Sequence, residues 1–226
     1  LVNTTQNLNA IVNRTTGVKA REEGGLGSEF NLSINGMSGN SIRYFIDGMP
    51  LDAKGSGVTL ANLPPNIIDR IEIYKGVVPA HLGTDALGGA VNIITNQQKK
   101  NFLDASYSIG SFHTHQFNVN GQYVTPKAGI IVKPTLSVNY SKNDYKVKNV
   151  EVWNEEKGKY VYEERKRFHD DYFSLLGQVE VGVTNKKWAD NFFVTASYSK
   201  TDKELQTGSI QTVVYGEARR KSDSKN

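Results

Sequence analysis

Beyond residue 98 the chain alternates apolar and polar positions over long stretches. Leu103, Ala105, Tyr107 and Ile109 take one side of a predicted strand, with Asp104, Ser106 and Ser108 on the other. Phe117, Val119, Gly121 and Tyr123 oppose Asn118, Asn120 and Gln122, and Leu136, Val138 and Tyr140 oppose Thr135, Ser137 and Asn139. Phe173, Leu175, Val179 and Val181 stand against Ser174, Gln178 and Glu180, and Phe192, Val194, Ala196 and Tyr198 against Thr195, Ser197 and Ser199. A period of two marks strands with one apolar face, so this region is expected to hold five long strands. Their polar faces are mostly Ser, Thr, Asn and Gln, and aromatic residues gather near strand ends. That pattern suits a membrane barrel, apolar toward lipid and polar toward a wet lumen. A soluble sandwich or lectin gives similar alternation.

The connections carry further information. Residues 125–129 and 185–187 form short links, whereas residues 142–170 are long, charged and aromatic, and a second polar segment runs from Asp202 onward. Alternating short and long connections are those of a barrel with tight turns on one rim and loops on the other. The short link at residues 111–113 is the exception.

The first 98 residues mix periods. Leu8, Ile11 and Val12 share a helical face behind Thr4 or Thr5 as cap, and Gly17 ends that helix. Phe30, Leu32 and Ile34 then alternate up to an Asn35-Gly36 turn, and Ile42, Tyr44 and Ile46 alternate up to an Asp47-Gly48 turn. Gly55-Ser56-Gly57 makes a flexible tip, and Leu63-Pro64-Pro65 a turn ahead of Asn66, which caps a short helix into Ile67 and Ile68. Residues 68–95 read IDRIEIYKGVVPAHLGTDALGGAVNIIT. Ile71 and Ile73 face one way and Arg70 and Glu72 the other. Gly76 turns the chain, and Gly88-Gly89 leaves room for close backbone approach or positive φ ahead of the β-branched run 91–95.

This segment resembles the plug domain of TonB-dependent outer-membrane receptors. The resemblance rests on Arg70, Glu72, Lys75, Gly76, Gly83, Gly88, Gly89 and Asn92, and extends to Asn35-Gly36 and to residues 45–51 with Asp47-Gly48. Val77 stands where the family usually has Pro, Leu82 where it has an aromatic residue, and Asn35 where it has Arg. The resemblance implies an α+β plug, a small mixed sheet with short helices, over residues 1–98. Antiparallel transmembrane barrel strands, a partial barrel, would follow over residues 99–226. It further implies location in the bacterial outer membrane among lipid, and uptake of a scarce small extracellular ligand such as a ferric siderophore or cobalamin. The plug would gate the lumen, and TonB, with the proton-driven ExbB–ExbD complex, would be the partner of the whole protein. Ligand contacts are expected at plug tips: Met37, Ser38, Asn40, Asp52, Lys54, Ser56, His81 and Leu82.

Composition narrows the rest. The chain has no cysteine, which excludes disulfides and thiolate metal sites. No apolar run approaches the ~18 residues of a spanning helix, which says nothing against spanning strands. A net charge of +4 comes from basic residues interleaved with acidic ones, the composition of a solvated surface, and no nucleic-acid partner is expected. The chain begins at Leu1 without a leader pattern, as expected of an internal piece of a longer protein or of a mature segment.

Catalytic motifs are missing. Gly25-Leu26-Gly27 lacks both the third glycine and the preceding apolar strand of a dinucleotide loop. No Walker loop, nucleophile elbow or zinc-protease helix occurs, so neither an enzyme nor a cofactor is expected. His113 and His115 lie two apart, and a strand there would put them on one face as a candidate metal pair, but no acidic residue adjoins them. The rival functional class is a β-rich surface adhesin or carbohydrate-binding module.

Overall fold

The computed structural model describes residues 12–13, 15–22, 24–28, 30–51, 63, 67–83, 87–95, 100–126, 129–206 and 218–226. Most of the helix expected near the start, the turn and cap at 64–66 and the change of character at 96–99 lie outside them.

Three antiparallel strands come first: β1 (Val18–Glu22), β2 (Phe30–Ile34) and β3 (Met37–Ser38). β2 turns into β3 through Asn35-Gly36, both at positive φ (50° and 85°), the geometry that a two-residue hairpin favours in Asn-Gly. A four-stranded sheet follows, built from β4 (Ile42–Ile46), β5 (Met49–Pro50), β6 (Ile68–Tyr74) and β7 (Gly89–Thr95), in the order β5-β4-β7-β6. β4 and β7 run parallel, and the other two pairings are antiparallel. The small mixed sheet is thus as expected. The helices seen in full among the described residues are two single 3-10 turns, Gly39–Ser41 and Ala80–Leu82.

β4 departs from the one-faced strand that its alternation suggests. Ile42 and Ile46 enter the main core with Val18, Leu32, Ile34, Val91 and Ile93, while Phe45, on the opposite face, packs with Leu82 and Ala90. A strand paired in parallel at the centre of a small sheet is covered on both faces, so its inward-facing set cannot be read from a period of two.

The chain then enters a single antiparallel sheet. Its strands are β8 (Phe102–Gly110), β9 (Thr114–Val124), β10 (Ile130–Ser141), then, beyond a separate hairpin of β11 (Lys146–Asn154) and β12 (Lys159–Lys166), β13 (Tyr172–Lys186), β14 (Ala189–Glu204) and β15 (Arg219–Lys225). Their order is β15-β14-β13-β10-β9-β8. The count of five strands is therefore corrected to six. β15 reads RRKSDSK and has no apolar side to betray it. The long connection 142–170 contains the β11–β12 hairpin, whose register slips between Val147 and Val150 and breaks the alternation.

The two faces of the six-stranded sheet differ as the pattern predicts. Leu103, Tyr107, Ile109, Phe117, Tyr123, Leu136, Val179, Val181, Phe192 and Val194 are exposed on one side. Asn118, Asn120, Gln122, Ser137, Asn139, Ser141 and Ser174 are buried on the other. A polar face buried while an apolar face lies bare inverts a soluble sandwich, and it is the arrangement of a sheet wrapped around a polar interior with lipid outside. The sheet is open: β8 and β15 each pair on one side. Leu176, on the polar face of β13, is 8% exposed and belongs to the same core as Val91 and Ile93. The small domain thus packs against the inner wall.

Candidate functional site

The residues that carried the resemblance converge. Asp47, at φ 50° in the turn between β4 and β5, accepts hydrogen bonds from the Thr95 N–H (2.9 Å) and the Thr95 hydroxyl (2.6 Å). The Gly48 N–H donates to Asn92 Oδ1 at 3.0 Å, and Asn92 Nδ2 donates to Glu72 Oε2 at 3.3 Å. Glu72 also accepts from the Tyr74 hydroxyl (2.9 Å) and from Arg70 Nε (2.9 Å). The Tyr74 hydroxyl, then Arg70 and Asn92, hold the Glu72 carboxyl below the usual carboxylate range. Tyr44, beside the main core, has its phenol pushed up to about 12 by burial. Asn92 is 3% exposed and satisfied on both ends of its amide, as a buried amide must be.

The glycines serve backbone proximity. Gly89 has φ 128°, and a Cβ there would lie 2.4 Å from the Tyr74 carbonyl oxygen. At Gly88 a Cβ would lie 2.9 Å from the Ser41 carbonyl oxygen, which accepts the Gly88 N–H at 2.8 Å. Gly76 and Gly83 take φ 93° and 92°. Lys75 reaches across to donate to the Thr16 carbonyl, and the Asn35 N–H donates to the Gly17 carbonyl at 2.8 Å. Asn35 and Lys75 thus meet the same turn.

The expected ligand contacts divide. Met37 and Ser38 in β3 and Asn40 in the Gly39–Ser41 turn are exposed. Asp52, Lys54 and Ser56 lie outside the described residues. His81 sits in the 3-10 turn Ala80–Leu82. Leu82 is corrected: at 3% exposure it packs with Phe45 and Ala90 and is a core residue, not an open tip. The two histidines do not share a face. His113 occupies the β8–β9 turn at φ 55° and lies 3.5 Å from Asp144, while His115 stacks between Tyr107 and Tyr140. Among the described residues no three His, Asp or Glu side chains gather as metal ligands.

A second contact region had no motif to announce it. The small domain's 24–28 loop lies against wall residues Asn143, Tyr145 and Tyr172: a Cβ on Gly25 would meet Asn143 Oδ1 at 2.1 Å, and one on Gly27 would meet the Tyr172 ring at 2.2 Å. The glycine density of residues 24–27 was the available signal, but its partners lie more than a hundred residues away along the chain.

The small domain, its polar motif network and the inner wall together decide the relationship. Residues 2–90 match the family model of the TonB-dependent Receptor Plug Domain. This segment is similar to the plug of TonB-dependent receptors. Similar proteins include the vitamin B12 transporter BtuB of Vibrio vulnificus (strain CMCP6), 29% identical over 89 residues, or 39% of this chain and 15% of BtuB. Among solved structures, the pyoverdine outer membrane receptor FpvA from Pseudomonas aeruginosa PAO1 aligns over 87% of this chain and 25% of its own, at 14% identity and TM-score 0.58. The copper transporter OprC aligns over 88% and 28% at 16% identity and TM-score 0.62. At these identities the solved structures speak to fold, and they match the plug together with the strands that follow it. The chain spans about a quarter of the length of these solved receptors.

Proposed function

We propose that the chain is the plug and the first six barrel strands of a receptor that takes up a scarce extracellular ligand across the outer membrane. The observation that carries this reading is the inverted sheet: bare apolar residues such as Leu103 and Val194 outside, and buried Asn118, Asn120 and Asn139 inside, with Leu176 completing the core of the plug. A plug seated on the polar face blocks the lumen that this face encloses. Opening then needs a partner that supplies work, and the family resemblance names TonB with ExbB–ExbD. The event is a shift from a closed to an open plug driven by differential binding and force. The names of the relatives span vitamin B12, copper and siderophores, which supports small scarce nutrients as the ligand class.

The test is accumulation of labelled cobalamin and of ferric siderophores by cells that express the intact protein. Uptake of one of them that stops on deletion of TonB or on collapse of the proton gradient is expected. Cell-surface binding to glycans with no energy-dependent accumulation of either would overturn this reading in favour of an adhesin.

A further inference from the structure

The contact between the 24–28 loop and the wall is a built junction with a chain of polar partners behind it. Asn143 lies just past β10 at φ 48° and is 1% exposed. Its Nδ2 donates to the Leu26 carbonyl of the plug at 2.9 Å and to the Asp170 carbonyl of the wall at 3.0 Å. Its Oδ1 accepts from the Ser141 hydroxyl at 2.9 Å, so the amide's orientation is fixed by three bonds. The Tyr145 hydroxyl lies beside the same loop, 3.2 Å from where a Cβ on Gly24 would stand. The Leu26 carbonyl of the plug loop is therefore held by a wall side chain, and the glycines allow the approach.

Behind Asn143 stands a buried charge triad. The Asp170 carboxylate takes Arg167 Nε at 2.8 Å and Lys203 Nζ at 2.5 Å, and Lys203 Nζ also donates to the Asp170 carbonyl at 2.9 Å. All three side chains are less than a tenth exposed. Arg167 lies over the Tyr145 ring, 5.3 Å from its centroid, and donates to the Gln206 carbonyl at 3.4 Å. Gln206 Oε1 accepts the N–H groups of Phe168 and His169 at 2.9 and 3.2 Å. The carbonyl that Asn143 uses on the wall thus belongs to the residue that the triad clamps, and the triad joins the start of β13 to the end of β14.

We propose that Asn143 is the latch that holds the plug loop to the barrel wall in the closed state, with the Arg167–Asp170–Lys203 triad setting its position. A disturbance at the ends of β13 and β14 reaches the plug through Asp170 and Asn143. Asn143 is a positioning residue in this scheme: it touches the plug backbone and acts on gating through it. The scheme rests on the plug-in-barrel reading above, but its test needs neither ligand nor TonB.

This chain has no cysteine, so a Leu26→Cys substitution in the intact receptor places one thiol in the loop while keeping its backbone carbonyl. The readout is the labelling rate of that thiol by a membrane-impermeant maleimide on whole cells. Asn143→Ala, and Asn143→Asp, which keeps the shape but loses both donated bonds, are expected to raise the rate about tenfold, the factor associated with one lost buried hydrogen bond. Asp170→Asn is expected to raise it less, and Asn149→Ala in the exposed hairpin not at all. Retained heat-modifiability on gels certifies that each variant is folded. Unchanged labelling in folded Asn143→Ala and Asn143→Asp receptors would overturn the latch. A Gly25→Cys, Asn143→Cys pair, whose Cβ atoms would start 3.1 Å apart, close to the ~3.8 Å of a disulfide, is expected to cross-link on oxidation. Failure to cross-link in the folded receptor would likewise overturn it.

Discussion

The Asp47 carboxylate caps the end of β7 by accepting both the N–H and the hydroxyl of Thr95, at 2.9 and 2.6 Å. The β4–β5 turn is thereby tied to the strand that leads out of the plug. Asp47 also holds a left-handed backbone, φ 50°, which Asn and Asp tolerate better than other side chains. Asp47→Ala therefore loses both bonds and strains the turn, and is expected to cost about 2–3 kcal/mol. Asp47→Asn keeps the backbone preference and one acceptor, and is expected to cost about 1 kcal/mol. Hydrogen exchange of the β4 and β7 amides in the intact protein reads the order.

Two glycines of the motif separate backbone strain from crowding. Gly76 and Gly89 both have positive φ, 93° and 128°. Around Gly76 a Cβ would meet nothing within 4 Å, whereas at Gly89 it would meet the Tyr74 carbonyl oxygen at 2.4 Å. Gly76→Ala is expected to cost about 1–2 kcal/mol of plug stability from conformation alone. Gly89→Ala must also part β6 from β7 and is expected to leave the plug unfolded, seen as rapid proteolysis of residues 2–90 in an otherwise intact protein.

Much of this was legible in the chain, for definite reasons. Asn35-Gly36, Asp47-Gly48 and Gly88-Gly89 behave as read because turns and close approaches are local and leave local signatures. The long strands after the plug were legible because one face of their sheet is apolar and the other polar, which writes a period of two. Leu82 was misplaced because burial against Phe45 is a tertiary fact. β15 escaped because a strand of charged and polar residues has no face to compare. The latch was invisible for the strongest reason: Leu26 and Asn143 are 117 positions apart, and neither side of that contact has a distinctive pattern of its own.

Acid should loosen the plug through Glu72. The Tyr74 hydroxyl, with Arg70 and Asn92, stabilises the carboxylate and lowers its pKa in the folded state. A lowered pKa contributes stability that is present above the unfolded-state value, about 4.3, and that is lost as pH falls through the folded value. Glu72→Gln removes that pH dependence while keeping an acceptor for the Tyr74 hydroxyl. Protection of β6 amides, compared between parent and variant from pH 7 down to pH 3, is expected to converge at the acid end. An undiminished gap at pH 3 would show that the carboxylate's charge is not what Tyr74 and Arg70 stabilise.

Leu176 offers a test of how far the plug and wall share one core. Along β13 the polar face reads Ser174, Leu176, Gln178 and Glu180, so Leu176 is an apolar residue where the lumen pattern calls for a polar one. The structure accounts for it: the side chain is 8% exposed among plug residues that include Val91 and Ile93. Leu176→Ala leaves a cavity between plug and wall, and buried Leu-to-Ala changes cost about 2–5 kcal/mol. Because β13 itself keeps all its cross-strand bonds, that loss falls on docking of the plug. Leu176→Gln restores the polar pattern yet buries an amide against an apolar surface, which is also unfavourable. Both variants are therefore expected to keep a heat-modifiable barrel while increasing protease sensitivity of the plug. Leu175→Ala, on the opposite, apolar face of the same strand, is expected to leave the plug as resistant as in the parent.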